Sequence, residues 1–362
     1  MKRYPAYDPP EYVDWQADPD LVAAFDETVR AHPERAAIVD ALSVDQKLGL
    51  HEGMLRARLH DIALQRWVRQ GVISKAWLAT GEEATTIGPV HALDRDIDIV
   101  APMIRNAGAC AEMGMAVADM LRGYIGSFDS PSKGRDGHVG SFSHRVLQPI
   151  SNIGNMPPVT CGIALAFRLQ QKAGVVITWV GDGSVASGPT HEAFNFAAVQ
   201  TLPVIFIIQN NQIALGTVVA QHHRPDDFSD IARAYGCSGW GFDGNNVLDA
   251  YAATKIAADQ CRAGQGPVIL TAETFRMGGH ATHDEQDGRR LIPPSMYDFW
   301  GKRDPIGLYE AYLVSQGVSE ATLEEVERQV TEEVDRAAEE ALESRESNMP
   351  PPDSAMDDVY AS

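Results

Sequence analysis

Two short motifs stand at the ends of apolar runs and carry oxygen ligands. Gly181-Asp182-Gly183 follows the run 175–180, and Asn210-Asn211 follows the run 203–209. A carboxylate and a neutral amide suit a hard divalent cation such as Mg2+, whose octahedron is completed by phosphate oxygens and water. Such a cation converts an acidic site into a diphosphate site. The 26 residues between Gly183 and Asn210 are about enough for a loop, a helix and a strand.

Two nucleotide-binding alternatives fail on the same residues. Gly181-x-Gly183-x-x-Ala186 formally satisfies the dinucleotide fingerprint. There, however, Asp182 would face a pyrophosphate with no cation between them. The following strand also ends in neutral amides instead of the acid that holds a ribose hydroxyl. A P-loop is excluded because no Gly-Lys-Ser/Thr follows the glycines.

The elements that must position these motifs alternate along the middle of the chain. VVITWV (175–180) reads as a buried strand, HEAFNFAAVQ (191–200) as a helix and PVIFIIQ (203–209) as the next strand. That βαβ unit predicts an α/β protein with a parallel central sheet and helices on both faces. Both motifs then fall at the carboxyl edge, where open α/β sheets bind ligands. GPVILTAET (266–274) supplies a further strand. The spacing of Leu48, Leu55, Leu59, Ile62, Ala63 and Trp67 predicts a long helix over 45–70. A glycine-punctuated loop, 123–140, carries SPSKGRDGH. After Pro305 the chain reads as helical, with Leu323, Val326, Val330, Val334, Ala337 and Ala341 on one apolar stripe of an acidic helix. The expected organisation is an extended N-terminal arm with a short helix (1–44), an α/β domain with C-terminal helices (45–345), and an extended tail (346–362). Residues 1–20 are expected to lie on a surface.

Composition narrows the function classes. The 362 residues are 44% hydrophobic and 22% charged, which fits a large packed core. The net charge of −20 repels phosphate backbones and anionic membranes, so nucleic-acid binding is not expected. No apolar run reaches membrane-spanning length. Cys110, Cys161, Cys237 and Cys261 are scattered without a CxxC pair, which points to free thiols in a reducing compartment. The expected location is the cytoplasm, or the mitochondrial matrix if a presequence has been removed.

The GDG triplet, its spacing and the closing NN together match the diphosphate-binding signature of thiamine diphosphate enzymes. The segment GDGSVASGPTHEAFNFAAVQTLPVIFIIQNNQIALGT resembles the α subunit of the E1 component of 2-oxoacid dehydrogenase complexes. QGVISKAWLATGEEA (70–84), PMIRNAG (102–108), GRDGH (134–138), TFRMGGHATHDE (274–285) and WGKRDPI (300–306) agree in the right order, over about 45–345. SQG at 315–317 and DDVY at 357–360 lean toward the branched-chain type, whereas Lys75, Ala76 and Trp77 depart from its pattern.

The resemblance implies a thiamine diphosphate-binding fold and roles for particular residues. Asp182, Asn211 and the carbonyl of Ile213 would hold Mg2+. Gly181, Gly183 and Ser184 would line the diphosphate through backbone groups at a helix N-terminus, and Arg105 would reach it as well. Ile104 stands where a tyrosine is usual. Ser151 and Ile153 would touch the aminopyrimidine. His280, on a flexible loop with Arg276 and Asp284, would act near the reacting carbon. Ala281 replaces a serine phosphorylated in kinase-regulated relatives. His222, His223 and His283 read as surface residues. The implied activity is oxidative decarboxylation of a branched-chain 2-oxoacid with transfer of the acyl group to a lipoyl-bearing E2 acyltransferase. The alternatives are a pyruvate or acetoin enzyme, or a catalytically silent scaffold. The glutamate that activates the pyrimidine belongs to a separate β chain in that family, so an α2β2 assembly with shared sites is implied.

Overall fold

The computed structural model describes residues 1–224 and 227–357. Five parallel strands form the central sheet: β1 (Ile99–Ala101), β2 (Val176–Gly181), β3 (Val204–Asn210), β4 (Ser238–Asp243) and β5 (Val268–Glu273). Their order is β1-β2-β3-β5-β4. β2, β3 and β5 are apolar almost throughout because both faces are covered. Ile177, Trp179, Ile205, Ile207 and Leu270 pack on one side, and Val176, Val180, Phe206, Ile208 and Ile269 on the other, with the period of two that a pleated strand dictates. The α/β expectation holds.

Register brings the chemistry-bearing ends together. Gly181 lies opposite Gln209, and Asn210 opposite Glu273, so three strands end level with one another. A two-residue-per-strand hairpin, Ile213–Ala214 with Thr217–Val218, follows β3 immediately. The crossover helix Gly188–Gln200 begins earlier than periodicity suggested, because Ser187 is extended and Pro189 fits the first turn.

The long helix Val44–Arg69 starts behind a Ser43/Gln46 capping box and buries Leu55, Leu59, Ile62, Ala63 and Trp67. The helix Glu320–Ser347 packs on it through Leu323, Val330, Val334, Ala337 and Ala341, and Val326 is half-buried. The fully buried Arg58 bonds Glu83 and Asp304, joining the long helix to the helix Glu83–His91 and to the N-cap of Pro305–Ser315.

The N-terminal segment departs from expectation. Three helices form there, Pro10–Val13, Pro19–Arg30 and Pro33–Asp40, and Tyr12 is fully buried beside Phe275 and Met277. The Pro-rich, acidic composition obscured this. The arm is held by scattered partners far along the chain, such as Arg3 with Asp304 and Glu11 with Arg289. Beyond Ser347 a short 3-10 helix occupies Pro352–Met356. Of DDVY, only Asp357 lies within the described residues. Among the described residues no helix is long and apolar enough to cross a membrane, and the four cysteines are unpaired.

Candidate active site

A cavity of about 560 Å³ opens at the carboxyl edge of the sheet. Arg105, Ser151, Ile153, Gly181, Asp182, Gly183, Ser184, Asn211, Ile213, Arg276 and His280 all line it, although they come from five separate stretches of chain. Asp284 does not. Its Oδ1 accepts from the Ala281 N–H at 2.9 Å and closes the turn that carries His280.

Asp182 opens a one-turn helix, Asp182–Val185, directly after β2. Its Oδ1 accepts from the Gly183 N–H at 2.6 Å, while Oδ2 is buried without a hydrogen-bond partner among the described residues. Burial pushes its pKa up to about 6, against the Gly183 hydrogen bond, which lowers it. An ionised carboxylate there is undersatisfied, and a cation is the natural remedy. Gly183 is required by a close approach, since a Cβ would sit 2.5 Å from that of Ala214.

The two asparagines divide their work. Asn210 donates to both oxygens of Glu273, at 3.0 and 2.8 Å, and so anchors β3 to β5. Asn211 donates through Nδ2 to Glu82 at 2.8 Å, leaving Oδ1 with one long contact from the Ile213 N–H at 3.4 Å. At the ends of neighbouring strands Asp182 therefore presents an oxygen with no hydrogen-bond partner among the described residues and Asn211 one with a single long contact, which fits an oxygen-coordinated cation. The Ile213 carbonyl accepts from Arg276 at 3.1 Å and keeps its second lone pair.

Arg276 is buried and donates to three carbonyls, those of Ile213, Leu215 and Gly278. It ties the hairpin after β3 to the loop after β5. Burial, helped by Arg105, pulls its pKa down to about 10. Arg105 is 6% exposed and donates to Leu78 O at 2.8 Å and to the carbonyl and Nδ1 of His280 at 3.2 and 3.3 Å. Burial, then Arg105 and Arg276, lower the His280 pKa to about 4. The ring is thus neutral at pH 7, and with Nδ1 accepting, its proton sits on Nε2.

Several features escaped the sequence. His138 lines the cavity, its Nδ1 2.7 Å from Asp136 and its Nε2 3.2 Å from Ser151 Oγ. Asp136 makes Nδ1 the protonated nitrogen, so Ser151 donates to Nε2 and its lone pairs are left as acceptors. His222 and His223, read as surface residues, are half-buried. His223 stacks on Phe228 at 3.7 Å, and His222 lies close enough to lower the Asp182 pKa. Only contacts across the fold reveal this. His283 is exposed, as expected.

The dehydrogenase E1 component family model matches residues 51–350, a span that contains every residue of this cavity. The chain belongs to that family. E1 enzymes are thiamine diphosphate-dependent. The chain is 33% identical over 328 residues to the 2-oxoisovalerate dehydrogenase subunit alpha of Bacillus subtilis, covering 88% of this chain and 97% of that one. It is 33% identical to the Mycobacterium tuberculosis 3-methyl-2-oxobutanoate dehydrogenase subunit alpha, over 86% of this chain and 80% of the relative. Identity to the human mitochondrial 2-oxoisovalerate dehydrogenase subunit alpha is 31%, over 88% and 71%.

Proposed function

We propose that this chain is the α subunit of an E1 enzyme that decarboxylates a branched-chain 2-oxoacid and passes the acyl group to a lipoyl carrier. The branched-chain choice is supported by the names and coverage of the relatives above. The observation that carries the cofactor reading is Asp182 Oδ2, buried at the mouth of β2 with no hydrogen-bond partner among the described residues.

Asp182, Asn211 and the Ile213 carbonyl would hold Mg2+, and the backbone of Gly181, Gly183 and Ser184 would meet the diphosphate. Ser151 and Ile153, on the rim, would take the aminopyrimidine end. Once bound, thiamine diphosphate supplies a carbon nucleophile and an electron sink for the pair released with CO2. Arg105 adds a guanidinium suited to phosphate oxygens. His280, with its proton on Nε2, donates to the substrate carboxylate or moves a proton during acyl transfer. Trp77, Met103 and Ile104 wall the cavity with apolar surface.

The site is open on one side. Ile150, Ile153 and Leu215 line it yet are 44%, 66% and 61% exposed. An apolar rim around a site that must exclude water fits coverage by a β subunit in an α2β2 assembly, with a lipoyl-bearing E2 as acceptor. The unpaired cysteines suit a reducing compartment, either cytoplasm or mitochondrial matrix.

The test is co-expression with a β subunit and assay across a panel of 2-oxoacids with a lipoyl acceptor. Turnover highest on 3-methyl-2-oxobutanoate, and none from the isolated chain, is expected. A complex active only on pyruvate overturns the substrate reading, and appreciable turnover by the isolated chain overturns the shared-site reading.

A further inference from the structure

Glu82 joins the two halves of the cavity. Gly81, at φ 94° and with no room for a Cβ beside the Phe275 carbonyl, turns the chain so that Glu82 and Glu83 diverge. Glu83 goes to Arg58, whereas Glu82, fully buried, goes to the site. Glu82 Oε1 accepts from Gln209 Nε2 at 2.5 Å and from Asn211 Nδ2 at 2.8 Å. Its Oε2 has no hydrogen-bond partner among the described residues and lies 3.6 Å from Arg105.

The amide geometry gives this arrangement a direction. Gln209 Oε1 accepts from Asn106 Nδ2 at 2.9 Å, and Asn106 Nδ2 also donates to Thr86. With Oε1 thus committed, the Gln209 amide must present Nε2 to Glu82. Asn211 has the same constraint from the other side. An acceptor-only carboxylate takes Nδ2, so Oδ1 is the end left free.

We propose that Glu82 is a positioning residue of the cofactor site, one that turns the Asn211 amide oxygen outward for a cation. The proposal rests on the cofactor reading above. Outer partners of metal ligands act in this way, and their loss typically weakens metal binding by about 10- to 100-fold.

The experiment uses the full chain with its β partner, thiamine diphosphate at constant concentration and Mg2+ titrated. Quenching of tryptophan fluorescence reports binding, because Trp77 and Trp179 line the cavity. Glu82→Gln keeps a carbonyl oxygen for Gln209 and Asn211, and Glu82→Ala removes it. Half-saturating Mg2+ should stay within about threefold of wild type in Glu82→Gln and rise about tenfold or more in Glu82→Ala. Adding Asn211→Ala to Glu82→Ala should bring no further loss beyond that of Asn211→Ala alone, because Glu82 acts through that amide. Three results overturn the proposal: an unchanged Mg2+ requirement in Glu82→Ala, multiplying losses in the double variant, or a tenfold rise in the isosteric Glu82→Gln. The last holds even if Glu82→Ala fails to fold. A wild-type complex without Mg2+-dependent quenching instead overturns the cofactor reading itself.

Discussion

Arg105 and His280 are joined twice, through the His280 carbonyl at 3.2 Å and through its Nδ1 at 3.3 Å. The arginine proposed to reach the diphosphate therefore also fixes the tautomer of the loop histidine and adds to burial in keeping it uncharged. Arg105→Ala is expected to raise the His280 pKa from about 4 toward the ordinary histidine range, stopping short of it because burial is the larger cause. Ring-nitrogen NMR titration measures this, and an unmoved pKa would refute the coupling. His280→Ala should lower turnover by about 10²-fold while cofactor affinity changes by no more than a few-fold.

Asp182 has a pKa raised from 3.8 to about 6 by burial. Between those values the folded chain binds more protons than the unfolded chain, so stability falls as pH rises through the window. At pH 8 the ionised carboxylate costs on the order of 3 kcal/mol without a cation. Asp182→Asn should accordingly raise the melting temperature of the cofactor-free chain by several degrees at pH 8, and by less at pH 5. The same variant should lose Mg2+-dependent binding of thiamine diphosphate. Calorimetry at the two pH values checks the first, and titration of the αβ complex the second.

A Cβ on Gly183 would meet that of Ala214 at 2.5 Å, and Ala214 belongs to the hairpin that presents Ile213. Gly183→Ala should weaken cofactor binding about tenfold or more without unfolding the chain. Gly183→Ala combined with Ala214→Gly should recover most of the loss, because the clash is then removed. Failure of the second substitution to rescue binding would show that the clash is not the cause.

Glu11 of the N-terminal segment pairs with Arg289 through both carboxylate oxygens, and the Arg289 guanidinium lies 3.9 Å from the Tyr297 ring centre. Arg289 stands in the helix Glu285–Leu291 that follows the His280 loop. Glu11→Arg should increase hydrogen exchange over 278–291, and the reversed pair Glu11→Arg with Arg289→Glu should restore protection. Equal exchange in all three proteins would mean that the segment does not brace the loop.

The parallel sheet and the two motifs at its carboxyl edge were legible because they rest on short-range rules. Strands buried on both faces must be apolar throughout, as in 175–180 and 203–209. The Gly-Asp-Gly and Asn-Asn motifs then follow such strands by simple adjacency. The long helices announced themselves by stripes that repeat every turn. Tertiary structure alone decided how equivalent-looking neighbours divide. Asn210 goes to Glu273 and Asn211 to Glu82, while Glu83 goes to Arg58 and Glu82 to the cavity, because each partner lies 25 or more residues away. It also decided that Tyr12 is core, that Asp284 closes a turn outside the cavity, and that His138 enters it through Asp136 and Ser151. Local pattern records which face of an element is buried. The partner of a buried polar group depends on which distant segments the fold brings within about 3 Å, and no spacing along the chain encodes that distance.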